Sequence, residues 1–168
     1  MEFTASSANL LKIKADCLIL MTNAQIGGAL KAHNSELYGE LKGLAKTVGF
    51  DGKSGSSKTL YTPGLPFPQI ILIGVDGTTT RQKRIKAIAD AATKAIASNA
   101  KKILWVADEI SEDSNWQAAM VARNLLYASY KYVKNDKVQP SLLKTLVYWT
   151  PSRNMQRAAA AGLDFGAA

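Results

Sequence analysis

The sequence predicts a single α/β domain with a mixed, mostly parallel sheet and helices on both faces. Two observations predict it. Four apolar runs of strand length, ADCLILMT (15–22), QIILIG (69–74), KILWVA (102–107) and KTLVYW (144–149), are hydrophobic at successive positions, as strands covered on both sides must be. Longer stretches with apolar residues at helical spacing separate them, and such alternation builds a parallel or mixed sheet. The 168 residues can bury one full core, and a 47% hydrophobic share is ordinary for a folded protein.

The elements follow in order. FTASS (3–7) reads as a first strand beside 15–22. NSELYGELKGLAK (34–46) is a helix with Asn34 as its cap and Leu37, Leu41 and Leu44 on one face. TVGFDGKSGSSKTLYT (47–62) reads as two short strands around a glycine- and serine-rich tip, a hairpin. After strand 69–74, residues 80–100 form an amphipathic helix whose stripe is Ile85, Ile88, Ala89, Ala92 and Ile96. Strand 102–107, helix 114–134, strand 144–149 and helix 152–168 complete the chain, with no repeat, linker or low-complexity segment.

The stretch GKSGSSKT (52–59) invites a nucleotide-loop reading, but the pattern G-x-x-x-x-G-K-[ST] fails. Thr47 stands at the first glycine, Ser57 precedes the second lysine, and a helix rather than a strand comes before it. Metal ligands are sparse, since His33 and Cys17 are each the sole residue of their kind. Cys17 lies in an apolar strand and reads as a structural thiol, and a lone cysteine fits a reducing compartment, the cytoplasm. No apolar run reaches the ~20 residues of a membrane span. The acidic group Asp108, Glu109, Glu112 and Asp113 reads as a solvated turn before a helix. No serine, cysteine or metal catalytic constellation emerges.

Two sets of residues are candidates for binding. The formal charge of +8 permits an anionic partner. Arg81, Lys83 and Arg84 crowd the first turn of helix 80–100, where they oppose the helix dipole, so a phosphate site for nucleic acid would explain them. On helix 114–134, Ala118, Val121, Ala122, Leu125, Tyr132 and Val133 form the arc facing the sheet, with Gln117, Asn124, Lys131 and Lys134 opposite. Trp116, Met120 and Tyr127 fall on the polar side, as interface anchors do.

Two resemblances run through the chain. ADCLILMTNAQIGGALKAH (15–33) is similar to the strand, Asn-Ala loop and glycine-rich turn of macro domains, which bind ADP-ribose. More extensively, the chain resembles the N-terminal domain of leucyl aminopeptidases. The carriers are FDGKSGSSKTL, PQIILIGVDG, RIKAIADAATKAI, AAMVARNLLYASYKYVK and AAAAGLDFGAA, in that order and over almost the whole length. The resemblance implies a macro-like three-layer sandwich, with residues 1–168 as one accessory domain. Residues 1–150 are its core, and 151–168 start a helix leading to a catalytic domain. It implies a cytoplasmic two-metal peptide hydrolase, with two manganese or zinc ions in that catalytic domain. It also implies a homo-hexamer and, in some bacterial members, DNA binding. The family's N-T-D-A-E-G-R motif does not occur here, so no residue of this chain inherits a catalytic or metal role. The domain itself is expected to serve assembly or regulation, with a nucleic-acid module or an ADP-ribose-type ligand module as the alternatives.

Overall fold

In a computed structural model, residues 1–26, 28–107, 114–134 and 141–168 are described. The strands are β1 (Glu2–Ser6), β2 (Cys17–Thr22), β3 (Ser57–Tyr61), β4 (Gln69–Gly74), β5 (Lys102–Ala107) and β6 (Thr145–Trp149). The helices are α1 (Gly28–His33), α2 (Ser35–Thr47), α3 (Arg81–Ala97), α4 (Ser114–Lys134) and α5 (Arg153–Ala167), with a short 3-10 turn at Leu10–Lys12. The strands form one sheet in the order β1-β6-β5-β2-β4-β3, so the first strand pairs with β6 and not, as expected, with residues 15–22, whose two edges β4 and β5 occupy. All neighbours pair in parallel except β3, which runs antiparallel to β4 at one edge.

Alternation along the central strands divides two cores. Cys17, Ile19 and Met21 of β2, with Ile103 and Trp105 of β5, face α3, α4 and α5. Leu18 and Leu20, with Leu104 and Val106, face α1 and α2, meeting Leu30, Leu37 and Leu41. All of β2 is buried, which is why its sequence shows no polar alternation. Each such side chain contributes roughly 1.5–3 kcal/mol by leaving water. The three-layer sandwich and the Asn34 cap, whose side chain accepts from the Leu37 amide, follow the sequence expectation.

The hairpin expected over 47–62 does not form. Its first half is a helix stop: Gly49 (φ 70°) follows α2, the Phe50 amide donates to the Ala45 carbonyl and the Gly49 amide to that of Lys46. This paired closure satisfies carbonyls that a strand would leave open, and glycine tolerates the left-handed conformation it needs. Phe50 then plugs into the core. Only the second half is a strand, and its partner is β4, from Ser57↔Ile73 to Tyr61↔Gln69. The connection turns at Thr62, whose amide donates to the Pro68 carbonyl and whose hydroxyl donates to that of Phe67.

The helical faces also shift. On α3 the buried face is Ala87, Ile88, Ala91, Ala92, Ala95 and Ile96, while Ile85 is exposed, because small alanines admit closer approach to the sheet. On α4, Gln117 is buried rather than on the solvent side, and its Nε2 finds no partner among the described residues. Ala118, Val121, Ala122 and Leu125 face the core as expected. The side chains of Tyr132 and Val133, and the acidic group at 108–113, lie outside the described residues. α5 packs on α4 through two glycines. A Cβ at Gly162 would lie 2.8 Å from the Asn115 carbonyl carbon, and one at Gly166 would lie 2.8 Å from that of Ala119. Both contacts advance by four residues, so the two helices run parallel.

Candidate functional site

The carboxyl ends of the central strands are where open α/β sheets place ligands, and here several loops converge on them. β2 ends at Thr22, whose carbonyl accepts from the Val75 amide just past β4. The Thr22 hydroxyl is buried without a hydrogen-bond partner among the described residues. Asn23 turns the chain: its side chain accepts from the Gln25 amide, and its carbonyl accepts from Ile26. Ile26 is fully buried at φ 59°, an uncommon conformation for a β-branched residue, so burial of its side chain holds the backbone there.

The serine-rich loop 51–56 lies across these ends. Gly52 (φ 65°) backs so closely on the Asn23–Ala24 peptide that any side chain would overlap it. At Gly74 a side chain would strike the Lys53 carbonyl and the Ser56 hydroxyl. Two aspartates latch the loop. Asp51 accepts from the Lys53 amide at 3.0 Å. Asp76 accepts from the Thr78 amide at 2.9 Å and the Thr78 hydroxyl at 2.6 Å. Hydrogen bonds hold both carboxyls below their ordinary range: chiefly that of the Lys53 amide on Asp51, and those of the Thr78 hydroxyl and amide on Asp76, with the Ser54 amide adding to Asp76.

The predicted anion cluster splays apart. Thr80 caps α3, its hydroxyl accepting from the Lys83 amide at 3.3 Å. The Arg81 guanidinium stacks on the Trp116 ring, 4.4 Å from its centroid. Lys83 instead lines a groove with Ser54, Lys86 and Asp90. Arg84 is half-buried and its charge reaches the Tyr148 hydroxyl, whose pKa burial raises. Three cations adjacent in sequence thus point in three directions.

The second candidate set divides too. Trp116 is half-buried, and Met120 packs against the core beside the sheet. Tyr127 is 61% exposed. Sequence reasoning missed two other exposed aromatics, Tyr130 on α4 and Phe165 on α5. It also missed the Arg81–Trp116 stack, which joins one residue from each predicted set and which no local spacing reveals. It passed over the lysine face of α3 as well, although Lys83, Lys86, Asp90 and Lys94 recur at helical spacing.

The described residues offer no ligand set for the two ions that the resemblance implies, since no three His, Cys, Asp or Glu come together among them. Among the described residues, no helix is long and apolar enough to cross a membrane.

This architecture defines a macro-like α/β domain. A macrodomain from Oceanobacillus iheyensis, solved with ADP, superposes with a TM-score of 0.64 at 13% identity, covering 96% of this chain and 89% of that one. A Trypanosoma brucei macrodomain gives 0.61 at 11% identity, over 94% of this chain and 65% of that one. A tomato leucine aminopeptidase gives 0.71 at 20% identity, over 99% of this chain but 35% of that one. Residues 19–137 match the cytosol aminopeptidase family, N-terminal domain. A probable cytosol aminopeptidase of Ralstonia pickettii is 26% identical over 96% of this chain and 36% of its own length. The chain belongs to the cytosol aminopeptidase family and corresponds to its N-terminal domain. It spans about a third of the length of the curated relatives it matches, at 36% and 28%.

Proposed function

We propose that this domain serves the assembly or regulation of a two-metal aminopeptidase, a peptide hydrolase acting on N-terminal residues, and contributes none of its chemistry. The observation behind this reading is the match to the family's N-terminal domain over residues 19–137. The partners of this reading are the parent's own catalytic domain, with its manganese or zinc pair, and further copies in a cytoplasmic hexamer. Trp116 and Tyr127 are its candidate contacts.

The test is hydrolysis of leucine p-nitroanilide by the 168-residue chain with manganese or zinc added. The expected result is no turnover. Turnover that survives repurification and disappears with chelator overturns the reading. A second reading, an ADP-ribose-type ligand module, draws on the macrodomain likeness. Calorimetry with ADP-ribose decides it.

A further inference from the structure

The serine-rich loop that fails as a nucleotide loop forms one wall of a groove whose other wall is α3. Two cavities, of about 270 and 220 Å³, share Gly55, Ala87 and Asp90, and so run together along that helix. Lys83 and Lys86 stand at one end and Lys94 at the other, with Asp90 between them. Lys94 donates to the Ser57 hydroxyl, tying the helix to the loop. Ile73 and Ala87, both buried, give the groove an apolar floor. Among the described residues, neither Lys83 nor Lys86 has a carboxylate partner, although Asp90 stands one turn beyond Lys86. Two ammonium groups beside serine hydroxyls suit a phosphate. A carboxylate a few ångströms further on repels a second anion and accepts hydrogen bonds from neutral hydroxyls.

We propose that this groove binds a small phosphorylated polyhydroxy compound, of the sugar-phosphate class. Its phosphate lies between Lys83 and Lys86 and one of its hydroxyls donates to Asp90. Lys94 holds the wall and does not need to touch the ligand. This goes beyond the accessory role proposed above, and it concerns the β3 edge rather than the crevice at β2 and β5 where a macro-type ligand would sit.

The experiment is calorimetric titration of the 168-residue chain with ribose 5-phosphate, inorganic phosphate and ribose. Ribose 5-phosphate is expected to saturate one site and to bind more tightly than either of the others. The Lys83→Gln, Lys86→Gln double variant weakens it about tenfold or more, the loss expected for charge-assisted hydrogen bonds. Asp90→Asn weakens ribose 5-phosphate while leaving inorganic phosphate unchanged or tighter. A Lys42→Gln, Lys46→Gln variant on α2 carries the same charge change away from the groove and leaves binding intact. The proposal is overturned by no saturable binding at millimolar ligand, by equal affinity for inorganic phosphate, or by equal weakening in the α2 variant. The first excludes a site, the second the hydroxyl contact, and the third anything beyond general charge.

Discussion

Replacing Gly162 by alanine tests whether the contact between α5 and α4 is as close as the backbone indicates. Two effects oppose each other. Alanine in a helix interior is favoured over glycine by about 1 kcal/mol. Against this, the new methyl carbon would lie 2.8 Å from the Asn115 carbonyl carbon and 3.0 Å from its Cα, far inside contact distance. Those atoms are backbone within α4, so relief requires the helices to separate, and such overpacking costs typically 1–3 kcal/mol. We expect a net loss of up to about 2 kcal/mol, and a Tm lower by up to roughly 8 °C for a chain of this size. Gly43 supplies the control. It also lies within a helix, but a Cβ there meets nothing within 4 Å. Gly43→Ala should therefore raise stability by about 0.5–1 kcal/mol. Thermal and urea unfolding of both variants reads the signs directly. If Gly162→Ala stabilises the protein as Gly43→Ala does, α5 does not sit on α4 as described.

Acid should loosen the serine-rich loop first. Asp51 and Asp76 both titrate below their ordinary value of 3.8, so their contribution is whole above that pH and is lost as pH falls through the lower folded-state values. The Asp51→Asn, Asp76→Asn variant should lose that dependence, as read by hydrogen exchange of amides 52–56 between neutral and acid pH. Burial pushes the Cys17 thiol up to about 12, so a thiol-specific reagent should label it only after denaturant is added. Arg81→Ala should cost up to about 1 kcal/mol through its lost stack and shift the Trp116 fluorescence, without lowering Tm as far as Gly162→Ala.

The central strands were legible because burial on both faces leaves an unbroken apolar run, as in LILM of β2 and IILI of β4. What the sequence concealed lies in partnership. LYT reads as strand, yet nothing in 57–61 says whether it pairs with the segment before it or the one after. The helix stop at Gly49 decided that, and its signal, a glycine just past the last periodic leucine, was present but outweighed by the turn-rich composition of 51–57. At the candidate site, crowding of basic residues in sequence suggested one anion cluster. A helix rotates successive residues by about 100°, so Lys83 turned away from Arg81 and Arg84, which sit one turn apart and meet different partners. The cations that share a face, Lys83, Lys86 and Lys94, are spread along three turns.

The sheet order places the first strand beside the last. Glu2 of β1 registers with Thr145 of β6, and the Thr150 amide donates to the Ser6 carbonyl. During synthesis, residues 2–6 have no strand to join until residues 145–149 have left the ribosome, while β2, β4 and β5 can already have assembled behind them. The N-terminal segment thus stays unpaired while the sequence between β1 and β6 is made, and closing so long a loop makes its docking late within this domain. Any nascent chain halted before residue 145 would keep β1 protease-accessible, and completing β6 would pair it in one step.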